Sequence, residues 1–79
     1  MSARQFERMA QQVAALRPDL DMAAVKHACN LISNAIRRIN TDTYDMQLSG
    51  EQLPAAAGYY QDQVVEVRGQ QLWLRVWVD

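Results

Sequence analysis

Cysteine occurs once in these 79 residues, at Cys29, so no internal disulfide can brace the fold. Histidine also occurs once, at His27, and the pair cannot supply the four ligands of a structural zinc site. Nowhere do ~18 apolar residues run together, and the first residues lack the apolar core of a signal peptide. A cytoplasmic location with a reduced thiol and no membrane span is expected. Glycine is scarce and scattered at Gly50, Gly58 and Gly69, which leaves no phosphate-cradling loop. An excess of one charge is missing too. Eight Lys plus Arg face nine Asp plus Glu for a net charge of −1, which excludes a globally basic nucleic-acid binder and an acidic tail.

Apolar residues make up 49 % and charged residues 22 %, the balance of a folded chain and far from the disordered signature. One domain, 1–79, is expected. A chain this short buries only roughly 60 % of its unfolded surface, so stability amounts to a few kcal/mol. With disulfide and metal gone, oligomerisation is the remaining reinforcement. Arginine outnumbers lysine seven to one and alanine fills eleven positions, a bias of GC-rich bacterial or phage genomes. Charge is divided along the chain. Residues 1–40 hold six cations against three acids (+3), and residues 41–79 two cations against six acids (−4). Attraction between the halves is the expected consequence; two faces with different partners is the alternative.

Ser2 and Gln5 match a capping box ahead of helical spacing at Phe6, Met9, Ala10, Val13 and Leu16. Pro18 halts that helix, predicted over 3–17. Asp19 or Asp21 can cap a second helix, predicted over 21–39, whose Val25, Cys29, Ile32, Ile36 and Ile39 form an apolar seam. Ala24, Ala28, Leu31 and Ala35 widen that stripe, largely with small residues that allow close approach of a neighbouring helix. After Asn40 the period shortens to two. Strands are predicted at about 43–48, 61–68 and 71–78. Between the first two, Pro54, three alanines and Gly58 suggest one helical turn. Gly69-Gln70 suits a two-residue type II′ turn, a register pairing Val65 with Leu74 and Val64 with Arg75.

The last strand carries two faces. Leu72, Leu74, Val76 and Val78 share one with Val65, Val67 and Tyr59; Trp73, Arg75 and Trp77 share the other with Tyr60, Asp62, Val64 and Glu66. The aliphatic set is the more continuous and should meet the helices. Two tryptophans plus Tyr60 amount to several hundred Å² of aromatic surface, about the largest apolar patch an ordinary monomer exposes. Trp, Tyr and Arg are also the residue types of interface hot spots. Trp73, Arg75, Trp77, Tyr60, Val64 and Glu66 therefore form a candidate protein interface. The competing reading is a lid, with Leu53 and Ala55–Ala57 folded over the tryptophans. A last strand at the sheet edge could also pair with its own copy, blunted in part by Arg75 and Glu66 as diagonal neighbours.

Catalytic groups are wanting. His27 and Cys29 stand two apart on a helix and share no face, so they make no nucleophile–base pair. Cys29 lies in the seam and reads as a buried, inert thiol. No paired carboxylates stand at a hydrolytic spacing, and no enzyme, cofactor or metal is expected. Arg4, Arg8, Arg37 and Arg38 can gather where an antiparallel helix pair brings their ends together, and so contact nucleic acid or an acidic partner. No helix-turn-helix spacing accompanies them.

The fold expected is α+β, α-α-β-β-β, with two helices on one face of a small antiparallel sheet ending in a hairpin. The function expected is binding another protein or a second copy: homodimer, accessory subunit or occluding inhibitor. Small Arg- and Ala-rich bacterial or phage chains often act by occlusion, inhibitors of host defence among them. A nucleic-acid-binding or regulatory domain is the rival.

Overall fold

In the computed structural model, residues 3–39 and 44–78 are described. Helix α1 spans Ala3–Leu16 and helix α2 spans Met22–Ile39. Pro18 stops α1 because the preceding residue is pushed out of the helical region. Asp21, not Asp19, caps α2: the Ala24 N–H donates to its Oδ1 at 2.8 Å. Asp19 is taken by Arg17, whose Nε and Nη2 donate to the carboxylate at 3.0 and 2.9 Å. Ser2, the expected capping residue of α1, lies outside the described residues. No helix among those residues is long and apolar enough to cross a membrane.

Three strands follow: β1 (Tyr44–Ser49), β2 (Tyr60–Val67) and β3 (Gln70–Val78), in the sheet order β1-β3-β2. The last strand is thus central, with both of its edges paired. That corrects the expectation that it could join its own copy edge to edge. The hairpin also departs from the expected turn. Its central residues are Arg68 and Gly69, at φ 50° and 79°, the two left-handed conformations of a type I′ turn. Moving the turn back one residue makes each β2 residue meet a β3 residue two positions earlier than expected. Val65 opposes Leu72, Val64 opposes Trp73 and Asp62 opposes Arg75. An even shift leaves every side chain on its expected face.

Leu72, Leu74 and Val76 are fully buried against the helical layer, joined by Val65, Val67 and Leu48. Met9, Val13, Cys29 and Ile32 supply the helical side of that core. Helix α1 lies against β1 and α2 against β2. One stripe position fails: Leu16 is 38 % exposed, whereas neighbouring Arg17 is 7 % exposed. The chain leaves the helix there and turns Arg17 under the sheet, where Nη1 donates to the Val67 carbonyl at 3.1 Å.

Strand order dictates a third layer. Both β1 and β2 run antiparallel to β3, hence parallel to each other, and parallel strands need a crossover. Ser49 stands level with Trp73 and Tyr60 level with Trp77, so residues 50–59 must travel back along β3 by four residues, about 13 Å. Helices fill one face, so this strap takes the other. It is irregular, and the expected helical turn at 54–57 does not form.

Candidate functional site

The outer face of the sheet is built in rows. Asp45, Trp77 and Tyr60 form one; Gln47, Arg75 and Asp62 the next; Ser49, Trp73 and Val64 the third. Gln71 and Glu66 follow beyond them. The six residues singled out as an interface do share this face, but they do not share one environment.

Arg75 is the surprise, at 2 % exposure in the middle of the strand. Its Nε and Nη2 donate to Asp62 at 2.7 and 2.9 Å, a bidentate pair. Nη1 donates to the Pro54 carbonyl at 2.6 Å and Nη2 to the Leu53 carbonyl at 3.4 Å. Its guanidinium carbon stands 4.0 Å from the Tyr60 ring centre and 5.9 Å from that of Trp77. A buried cation needs partners on every side, and here the strap supplies two of them. The Arg75 hydrogen bonds hold the Asp62 carboxyl below its ordinary range, and Asp62 raises Arg75 in return. Asp62, rather than the expected diagonal neighbour Glu66, is the counter-ion because of the register shift.

Trp77 is fastened to the same strap. Its Nε1 donates to the Ala57 carbonyl at 3.1 Å, and its ring meets Tyr60 at 6.2 Å and 60°. The Tyr60 hydroxyl accepts from the Ala56 N–H at 3.4 Å. The covering expected of residues 53–57 therefore exists over Arg75 and beside Trp77. It binds the tryptophan through its edge and leaves it half-buried. Tyr59, placed with the aliphatic set from sequence, precedes β2 and is 85 % exposed.

The third row differs. No strap hydrogen bond reaches Trp73, which is half-buried, and its cross-strand neighbour Val64 is 41 % exposed. Exposed Glu66 lies two residues along the same face of β2, and exposed Glu51 follows Ser49, whose Oγ accepts the Glu51 N–H at 3.1 Å.

Elsewhere, Cys29 is wholly buried and its thiol is pushed up by that burial, while His27 is exposed. Arg4, Arg8, Arg37 and Arg38 are all exposed. Among the described residues the ion pairs are Arg17–Asp19, Arg68–Asp21 and Arg75–Asp62. Of these, Arg68–Asp21 joins the two halves, with its cation in the second half and its acid in the first. Sequence reasoning missed Arg17 and Arg75 as buried cations. The available signal was an arginine inside an apolar run (Trp73–Trp77) and an arginine two residues before an acid across Pro18.

Comparison with known proteins gives no matching family model, no matching curated protein and no matching solved structure.

Proposed function

We propose that the protein is a non-catalytic, cytoplasmic protein-binding domain acting through the Trp73–Val64 end of its outer sheet face. The observation that supports this is the contrast between rows. The strap fastens Arg75 and Trp77, yet leaves a tryptophan beside an exposed valine on the same rigid sheet. A half-covered indole next to an aliphatic side chain is the composition of a hot spot with its polar rim. Glu51 and Glu66 supply that rim, both acidic. A partner with an apolar pocket edged by Lys or Arg fits it better than a second copy brought face to face, which would oppose like charges. Occlusion of a larger protein, as an accessory subunit or an inhibitor of host defence, is the mode that so small a domain suits.

A photo-reactive amino acid at position 64 tests the reading in the native host, with position 11 on α1 as control. Adducts to a different protein are expected from 64, absent from 11, and lost when Trp73→Ser is added. Equal adducts from both positions, or none from 64, would overturn it. An adduct of two copies of the 9.0 kDa chain would replace the proposed partner by the protein itself.

A further inference from the structure

A second surface lies away from the sheet face. The start of α1 is fixed beside the start of β1: Gln5, Arg8 and Met9 line a shallow cleft of about 70 Å³ with Asp45 and Met46. The end of α2 belongs to the same end of the molecule, because Ile39 and Tyr44 are five Cα steps apart, at most about 18 Å. Arg4 and Arg8, one turn apart on α1, therefore share this end of the molecule with Arg37 and Arg38 in the last turn of α2. All four are exposed, and none is in an ion pair among the described residues. Among the described residues the acids at this end are Glu7 and Asp45, both exposed.

From this juxtaposition we infer that the α1-start and α2-end surface binds the phosphate backbone of nucleic acid, without reading its sequence. Guanidinium groups match phosphate oxygens in a planar, two-pronged geometry, and all four cations here are arginines. An acidic protein segment is the poorer fit. Protein interfaces are built round an apolar centre, and among the described residues the exposed large hydrophobics are Leu16, Met22, Tyr59 and Val64, none of them here. Leu16 and Met22 mark the opposite end of the helices. A net charge of −1 does not prevent local attraction. The molecule extends 34 Å at its longest, several times the ~8 Å over which physiological salt screens charge.

The test is fluorescence anisotropy with a labelled DNA duplex of about 20 base pairs and arbitrary sequence, titrated with salt. Four phosphate contacts predict a slope of about −3.6 in log affinity against log salt, roughly a 150-fold loss from 50 to 200 mM. Arg4→Gln with Arg8→Gln should halve that slope, as should Arg37→Gln with Arg38→Gln. Replacing all four by Lys should weaken binding but keep the slope, since the charges remain; circular dichroism checks that each variant stays helical. Trp73→Ser should change nothing, which separates this surface from the sheet face. Absence of binding at about 50 mM salt, or a slope that neither pair alters, would overturn the inference. So would polyglutamate displacing no worse than unlabelled DNA, which would assign the surface to an acidic protein.

Discussion

Gly58→Ala is the sharpest probe of the strap. Gly58 sits at φ +92°, and an added Cβ would lie 3.3 Å from Cδ1 of the Trp77 ring. A side chain in a left-handed conformation costs about 1–2 kcal/mol. The contact is shorter than the ~3.5–4.0 Å optimum, so the indole must shift and weaken its hydrogen bond to Ala57, which adds a few tenths. The total is about 2 kcal/mol, or roughly 8–16 °C in Tm for a domain of this size. Gly50 is the control within the same strap. It has no positive φ and nothing within 4 Å of an added Cβ, so alanine there should stabilise by ~0.4–1 kcal/mol through a less flexible unfolded chain. Urea unfolding followed by circular dichroism should separate the two variants by about 2.5 kcal/mol. Tryptophan emission should shift to the red in Gly58→Ala alone. Equal midpoints, or a lower one for Gly50→Ala, would refute the claim that the strap is held against Trp77.

Two further outcomes follow from the turn and the ion pairs. Arg68→Asn should raise stability by about 0.5 kcal/mol, since asparagine tolerates the left-handed φ of 50° and the exposed 3.5 Å pair with Asp21 contributes little; a lower urea midpoint would contradict the type I′ assignment. Asp62 and Asp19 are both held below the ordinary carboxyl value of 3.8 by arginine hydrogen bonds. Their contribution is complete above the unfolded value and disappears as pH falls through the lower folded one. Asp62→Asn should therefore lower the midpoint at about pH 7 and converge with the parent chain once pH has fallen below the lowered folded value. Parallel curves over that range would show that the Asp62 charge contributes nothing.

Element types were legible because the periods are local: 3.6 along α2, two along the hairpin. The faces of β3 were legible for the same reason, and survived a wrong turn because the error was even. Strand order was not, since alternation describes a strand's sides and not its neighbours. Even so, β3 itself carried a hint. Apart from Arg75, Leu72–Val78 is apolar or aromatic on both sides, the pattern of a strand covered on both, whereas β2 shows Gln61 and Gln63 among its inner positions. The covering of Arg75 was hidden for a different reason. Its acceptors, the carbonyls of Leu53 and Pro54, are backbone atoms that any residue would carry, so composition could not name them. Arg17 likewise reaches a carbonyl fifty residues away.

Because β1 and β2 never pair with each other, no two-stranded part of the sheet can form before β3 is made. The two flanking ribbons are made first, and each waits for a keystone that is translated after them. Until then β1 offers both of its backbone edges to any extended peptide nearby, and the crossover has nothing to lie on. Once the keystone slots in, it closes both seams and anchors the overlying segment in a single event. Among the described residues the outer edges of β1 and β2 stay unpaired even then, so what the keystone covers is the middle of the sheet and not its flanks.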